Sequence, residues 1–208
     1  MEFDFTDEQQ MIQDSAKRMV ERDIQPVLDA YPAEKSLPRE AMAKIYPVLA
    51  TQGITAPRVP TDQGGSGMKM LDYALIYEQL PAWLSVSIMG HDVTFARIHA
   101  EATPEQRERF LPGMLSGEKI GGTATSEPNA GSDPRGLSTR MTVEGDTAVV
   151  NGRKLWITNG SVADILAVTC IDGVDEKGRN TLKRIIVQPS ECNAVSYTHL
   201  TLPTNSRV

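Results

Sequence analysis

The chain changes character at one segment, which reads Thr123-Ala124-Thr125-Ser126-Glu127-Pro128-Asn129-Ala130-Gly131-Ser132-Asp133. Before it, as far as about residue 118, apolar residues recur at the spacing of amphipathic helices. From about residue 120 onward, they alternate with polar residues in the way that is typical of strands. A helical block followed by antiparallel strands predicts an α+β chain with two subdomains rather than a parallel α/β sheet.

Five helices are predicted in the first block, and capping boxes mark the start of two of them. Thr6 and Gln9 can exchange hydrogen bonds at the first helix, as Thr103 and Gln106 can at the fifth. Pro26 should kink or end the first helix, because proline lacks an N–H and its ring clashes with the preceding turn. The other three helices are expected within residues 38–52, 71–80 and 84–100, with a loop over 54–67.

The second block is predicted to contain short strands over residues 138–143, 147–150, 154–158, 165–171 and 184–187. Gly145-Asp146 and Asn151-Gly152 have the residue types of tight hairpin turns. A strand that begins at Lys154 would place Trp156 and Thr158 on the same face as the lysine, because side chains alternate along a strand.

Composition indicates an ordinary globular protein. The chain has 208 residues, of which 40% are hydrophobic and 23% charged, and its net charge is -6. The negative charge argues against nucleic-acid binding, since phosphate recognition normally requires a basic surface. The sequence contains no run of about 18 apolar residues, so no membrane span is predicted. The acidic start, Met1-Glu2-Phe3-Asp4, does not fit a signal peptide, so a cytoplasmic location without membrane contact is expected. Cys170 and Cys192 form no disulfide framework.

The last stretch, residues 190–208, shows neither helical nor strand periodicity clearly. It is either a native extension or foreign sequence from a frameshift or read-through, and we favour the second interpretation. The chain is therefore predicted to be disordered after about residue 190.

The segment at 123–133 carries groups that can hold a flat, polar ligand. Gly131 lets a ligand approach the backbone closely, and Ser132 offers an N–H and a hydroxyl to a phosphate. A polar edge suited to a heteroaromatic ring is formed by the hydroxyls of Thr123, Thr125 and Ser126. The structural alternative is a Ser/Gly/Pro turn between strands, in which Asp133 forms a local Asx-turn.

A second segment, residues 151–160, places an indole beside a hydroxyl. Trp156 can stack on a ring while Thr158 bonds one of its nitrogens. The structural alternative is a core tryptophan next to a strand threonine that is satisfied within the protein. Taken alone, each of the two segments is better explained by its structural alternative.

Taken together, the two segments resemble the acyl-CoA dehydrogenase family. The family pattern T-E-P-x-A-G-S-D followed by N-G-x-K-x-W-I-T-N is matched by residues 126–133 and 151–159, with Ser126 where the family usually has threonine. Residues 5–9, the loop at 60–65 and Leu111-Pro112 also fit the family. The resemblance extends over residues 1–188.

The resemblance implies a helical amino-terminal domain over residues 1–118 and a partial, FAD-binding middle β-domain of barrel or sandwich type over 119–189. Residues 190–208 are expected to form a disordered or non-native tail, and the family's carboxy-terminal helical bundle is expected to lie outside this chain. The residues implied to bind FAD are Thr123, Thr125, Ser126, Gly131, Ser132, Trp156, Ile157 and Thr158. Ser132 is also implied to lie near the thioester of the substrate.

The family's catalytic base lies in the absent bundle, so none of the 27 acidic residues is assigned that role. Glu127 is interpreted as a residue that shapes its loop. His91 and His99 are interpreted as core or surface histidines, and Cys170 as a small buried hydrophobe. Residues 78–90 are expected to line the acyl pocket.

The implied activity is dehydrogenation of an acyl-CoA to a trans-2-enoyl-CoA within fatty acid metabolism, with electrons passed to an electron-transferring flavoprotein. The full-length protein is expected to form a homo-oligomer, and the 208-residue chain alone is expected to be inactive. The alternatives are an oxidase on the same scaffold, a non-catalytic partner that binds acyl-CoA or a homologue, and an unstable fragment.

Overall fold

The structure is a computed structural model that describes residues 4–32, 35–145, 147–192, 195–196 and 200–207. The chain divides into two compact units, Met1–Lys119 and Ile120–Val208. The first is helical and the second is a curled sheet. The α+β class expected from the sequence is confirmed, since the described elements after Lys119 are strands and short 3-10 turns.

The helical unit contains α1 (Asp7–Met19), α2 (Gln25–Leu28), α3 (Arg39–Thr51), α4 (Met70–Tyr77), α5 (Ala82–Glu101) and α6 (Pro104–Leu115). Both predicted capping boxes are present, at the starts of α1 and α6. The N–H of Gln9 donates to the Thr6 hydroxyl over 3.2 Å, and the Gln9 side chain accepts from the Thr6 N–H over 3.1 Å. Within the described helices, none is long and apolar enough to cross a membrane.

Pro26 changes the helical register instead of only bending the helix. Residues Val20–Ile24, between α1 and α2, form a π-helical turn in which the N–H of Gln25 donates to the carbonyl of Val20. Proline provides no N–H and its ring crowds the carbonyl four residues earlier. The wider turn accommodates that crowding, and such turns occur mostly as single insertions within α-helices.

The helical core packs large apolar side chains around a few satisfied polar groups. Its fully buried members include Ile45, Tyr46, Leu49, Leu84, Ile88, Phe95 and Met114. His91 is buried among them, and its Nε2 donates to the Met114 carbonyl over 3.1 Å. Burial lowers the pKa of His91 to about 4, so this histidine is a neutral core residue, as the sequence predicts.

The sheet unit contains β1 (Gly121–Ala124), β2 (Arg140–Glu144), β3 (Thr147–Lys154), β4 (Ile165–Val174), β5 (Asn180–Val187), β6 (Val195–Ser196) and β7 (Leu200–Arg207). The strand order is β1-β4-β2-β3-β7-β6, and β5 also pairs with β4. The β2–β3 and β4–β5 hairpins are antiparallel, as predicted. However, β4 pairs in parallel with β1 and, at one position, with β2. Periodicity could not reveal this, because parallel partners lie far apart in sequence.

The predicted hairpin turn at Asn151-Gly152 is wrong. Both residues lie inside β3, where Asn151 pairs with Arg140 of β2. A side chain at position 152 would collide with Thr139, so the glycine allows a close approach rather than a turn. The other predicted turn, at Gly145-Asp146, falls where the β2–β3 hairpin reverses: Glu144 pairs with Thr147, and the φ of Gly145 is +60°. Asp146 lies outside the described residues.

The carboxy-terminal stretch also differs from the expected disorder. Strand β7 pairs with β3 over eight residues, from Lys154↔Leu200 to Thr147↔Arg207. Pairing in a sheet uses main-chain groups that every extended segment offers to an open strand edge. Composition and periodicity therefore contain little information about this contact.

Candidate functional site

The two motif segments lie side by side in the sheet unit. The N–H of Leu155 donates to the carbonyl of Ser126 over 2.9 Å. The amide nitrogen of Asn159 donates to the carbonyl of Gly121, also over 2.9 Å. Strand β1 is at one end of the sheet order, so the segment that follows it begins at a sheet edge. The flavin interpretation required this adjacency.

Thr125 and Ser126 differ in which of their polar groups are already hydrogen-bonded within the protein. The hydroxyl of Thr125 lies 3.1 Å from that of Thr169 on β4, and its carbonyl accepts a hydrogen bond from Lys154 Nζ over 3.1 Å. The hydroxyl and the carbonyl of Thr125 are therefore engaged within the protein. Ser126 is half-buried, and its N–H donates to no acceptor in the part of the chain that the structure describes. The Ser126 N–H is thus available to a ligand.

A buried ion pair between Lys154 and Glu127 adjoins this segment. Lys154 Nζ lies 2.7 Å from Glu127 Oε1, and the two side chains are 0% and 1% exposed. Glu127 also accepts hydrogen bonds from the N–H and hydroxyl of Ser138, each over 2.6 Å, and from the N–H of Thr139 over 3.0 Å. The carboxylate thereby ties together three parts of the sheet unit.

The hydrogen bonds of Glu127 determine its charge. Burial raises the pKa of this carboxyl, but donation from Lys154, Ser138 and Thr139 outweighs it and lowers the pKa to about 2. Burial lowers the pKa of Lys154, and the contact with Glu127 opposes that shift. Because carboxylate and ammonium stabilise each other, we assign both as ionised at neutral pH. This agrees with the structural role expected for Glu127.

The glycine and serine of the first motif lie at an exposed turn. The N–H of Glu127 donates to the carbonyl of Ala130 over 2.8 Å, which closes the turn. Gly131 and Ser132 follow and are exposed, with nothing within 4 Å of the place where a Gly131 side chain would begin. Asp133 accepts from the N–H of Arg135 over 3.0 Å, so the Asx-type turn is also present. The turn leaves open space beside Gly131.

Trp156 occupies a strained and exposed position. Strand β3 ends at Lys154, so the expectation that Lys154, Trp156 and Thr158 share one face of a strand is wrong. The φ of Trp156 is +53° and the residue is 82% exposed. A bulky residue in the left-handed region costs roughly 1–2 kcal/mol. Backbone strain of this kind is concentrated at functional sites, so Trp156 is a candidate site residue.

The turn after Trp156 is held by residues of its own. The N–H of Gly160 donates to the carbonyl of Ile157 over 2.9 Å, and Ile157 packs against the core beneath β1 and β4. Thr158 is half-buried, and a side chain at position 122 would meet its carbonyl at 2.8 Å. Sequence reasoning missed Asn159, whose φ is +66°. The signal was its residue type, since asparagine tolerates this conformation and bonds nearby backbone.

Family models match both units of the chain. Residues 6–118 match the acyl-CoA dehydrogenase amino-terminal domain, and residues 122–201 match the acyl-CoA dehydrogenase middle domain. The chain belongs to the acyl-CoA dehydrogenase family. The family match explains why both motifs occur in register on one chain.

Curated relatives of this chain are about twice its length. A probable acyl-CoA dehydrogenase of Bacillus subtilis is 30% identical over 191 residues, which are 90% of this chain and 49% of the relative. The mitochondrial isobutyryl-CoA dehydrogenase of Dictyostelium discoideum is 33% identical over 187 residues, 88% of this chain and 44% of the relative. The chain thus spans about half the length of these proteins.

Solved structures show the same fold. Butyryl-CoA dehydrogenase from Megasphaera elsdenii matches with a TM-score of 0.75 and 27% identity, covering 100% of this chain and 57% of that one. An acyl-CoA dehydrogenase from Bacillus anthracis in complex with FAD matches with a TM-score of 0.79 and 23% identity, covering 98% of this chain and 37% of that one.

Proposed function

We propose that this chain is the part of an FAD-dependent acyl-CoA dehydrogenase that holds the isoalloxazine ring, and that the whole enzyme converts an acyl-CoA to a trans-2-enoyl-CoA. One observation carries the proposal. An exposed indole in a strained conformation adjoins a backbone segment with an open N–H and an uncrowded glycine turn. A flat aromatic ring with polar edge atoms fits both features.

We propose the following roles for these groups, by resemblance to the family. The Ser126 N–H and hydroxyl and the backbone of Thr123 and Thr125 would bond the pyrimidine end of the ring. Trp156 would stack on it, while Ile157 and Thr158 would bond its central edge. Gly131 and Ser132 would approach the pyrophosphate, with Ser132 also near the substrate thioester. Because its carbonyl and hydroxyl are engaged elsewhere, Thr125 is expected to contribute mainly through its N–H.

When bound, FAD would supply the acceptor for the substrate hydride. The chain's own contribution is orientation, together with hydrogen bonds that need no rearrangement during the reaction. Glu127 is not the base, because its carboxylate is buried and has a pKa of about 2. We propose that the base, the subunit contacts of a homo-oligomer and the docking of an electron-transferring flavoprotein depend on the remainder of the longer protein.

Relatives of this chain are named for different acyl-CoA substrates. Relatives with about 30% identity include dehydrogenases of isobutyryl-, isovaleryl- and benzylmalonyl-CoA and an acryloyl-CoA reductase that uses NADH. These substrates share the CoA thioester and differ in the acyl chain. The shared thioester supports an acyl-CoA as the substrate class.

Titration with FAD tests the flavin proposal directly. The wild-type chain should quench FAD fluorescence on binding, and Trp156→Ala should weaken FAD affinity about tenfold through loss of stacking and contact area. Trp83→Ala is the matched control, because Trp83 is a half-exposed indole of α5 in the helical unit. Equal affinities for wild type and Trp156→Ala, or no FAD binding by folded wild type, would overturn the proposal.

A further inference from the structure

A buried ammonium group bonds the peptide that links Thr125 to Ser126. Lys154 Nζ lies 3.1 Å from the carbonyl oxygen of Thr125, and the Lys154 side chain is 0% exposed. The N–H of that same peptide belongs to Ser126 and donates to no acceptor among the described residues. One peptide group therefore accepts from a cation at one end and presents an open donor at the other.

The cation strengthens that donor. Charge-assisted hydrogen bonds are shorter and stronger than neutral ones. When a carbonyl accepts such a bond, the peptide becomes more polarised, and successive hydrogen bonds strengthen one another by roughly 10–30%. The effect is largest where water is excluded, as it is around Lys154.

The partner carboxylate does not cancel this polarisation. Glu127 receives three further hydrogen bonds from Ser138 and Thr139, which spread its charge away from the ammonium. Lys154 in turn divides its donors between Glu127 Oε1 and the Thr125 carbonyl. The bond to Thr125 is therefore a direct contact of an ionised donor with the peptide.

We propose that Lys154 is a positioning residue that acts through the Thr125–Ser126 peptide, strengthening the Ser126 N–H so that it favours reduced over oxidised flavin. This inference rests on the proposed flavin site. A reduced isoalloxazine carries more negative charge at its pyrimidine end than the oxidised ring, and protein groups there tune its potential. A stronger donor at that end therefore stabilises the reduced form more.

The test removes the cation without leaving a lone buried carboxylate. The double variant Glu127→Gln/Lys154→Met is compared with wild type in the full 208-residue chain, using FAD as the probe. The control is Lys183→Met, which removes an exposed lysine of β5. If the double variant does not fold, Glu127→Gln/Lys154→Gln removes the same charges and retains a neutral donor at position 154.

Two measurements are made on each folded variant. Dye equilibration gives the reduction potential of bound FAD, and the ratio of reduced to oxidised affinity should fall about fivefold, or about 20 mV for two electrons. The second needs no flavin: the ¹⁵N resonance of Ser126, identified by its loss in Ser126→Thr, should move upfield when Lys154 is replaced. Lys183→Met should change neither.

The outcomes separate this inference from the proposed function. If wild type does not bind FAD, the proposed function fails, and the Ser126 resonance alone decides whether Lys154 polarises the peptide. If FAD binds and the affinity ratio stays within about twofold of wild type, the role of Lys154 is refuted while the flavin site stands. An unmoved Ser126 resonance refutes it as well.

Discussion

Replacing Lys154 with methionine should destabilise the sheet unit strongly. The variant keeps the volume of the side chain but leaves the Glu127 carboxylate buried without its cation, since Glu127 is 1% exposed. Three hydrogen bonds to Glu127 remain, from Ser138 and Thr139. Removing one partner of a buried ion pair costs about 3–5 kcal/mol. For the sheet unit, Ile120–Val208, unfolding on its own, that corresponds to a fall in Tm of roughly 12–40 °C.

Urea unfolding can measure this loss in the sheet unit alone. In a Trp83→Phe background, Trp156 is the remaining tryptophan and its fluorescence reports on the sheet unit. Lys183→Met, at an exposed lysine 3.3 Å from Asp172, should cost at most about 1 kcal/mol. The double variant Glu127→Gln/Lys154→Met should recover most of the loss, because neither buried charge is then unpaired.

The pH dependence supplies an independent check. In Lys154→Met, burial without the cation raises the pKa of Glu127, so acidification protonates the carboxyl and relieves the penalty. The difference in unfolding free energy between wild type and Lys154→Met should therefore begin to shrink above the ordinary carboxyl value, as the pH falls through the raised pKa of the variant, and should shrink further as the pH falls towards the wild-type pKa of about 2. A loss below about 1 kcal/mol at neutral pH, or a difference that grows in acid, would refute the assignment of a charged buried pair.

Three further predictions concern the same unit. In wild type, the pKa of Glu127 is lowered from 4.5 to about 2. The stabilisation that Glu127 provides is therefore complete above pH 4.5 and is lost as the pH falls through about 2. Acid unfolding followed by Trp156 fluorescence should show this loss, whereas Glu127→Gln should lack that transition. Trp156→Gly should raise the unfolding free energy by about 1 kcal/mol through relief of the left-handed φ while weakening FAD binding, and a less stable glycine variant would contradict the strain. The 208-residue chain should bind FAD weakly and show no dye-coupled dehydrogenation of any acyl-CoA; measurable turnover would place a base within it.

Local chemistry made much of the helical unit predictable. The capping boxes at Thr6 and Thr103 are each complete within four residues, and the structure contains both. The effect of Pro26 was predictable in kind, but the π-helical turn was not, because the choice between a kink and a wider turn depends on packing around Ile24, which is fully buried. Signals that act over a few residues are readable when their outcome does not depend on distant contacts.

The site itself was harder to predict in detail. Asn151-Gly152 has the composition of a turn, but Thr139 packs against Gly152 and the strand continues. Because β3 runs through this position and ends at Lys154, the separate strand predicted over residues 154–158 is absent, and Trp156 lies outside the sheet. The Glu127–Lys154 pair joins positions 27 residues apart, a distance over which residue spacing contains no information. The motifs identified the site, and only the tertiary contacts show how it is held.

The parallel pairing of β1 with β4 has a consequence for how the polypeptide is made. Gly121 of β1 pairs with Ile165, so the first strand of the sheet emerges from the ribosome long before its partner. The helical unit, by contrast, is complete in sequence by Lys119. Domains generally fold in the order of synthesis, and long-range strand pairing is slow. A chain that is terminated between residues 125 and 160 and released from the ribosome should therefore have folded helices and a protease-sensitive remainder.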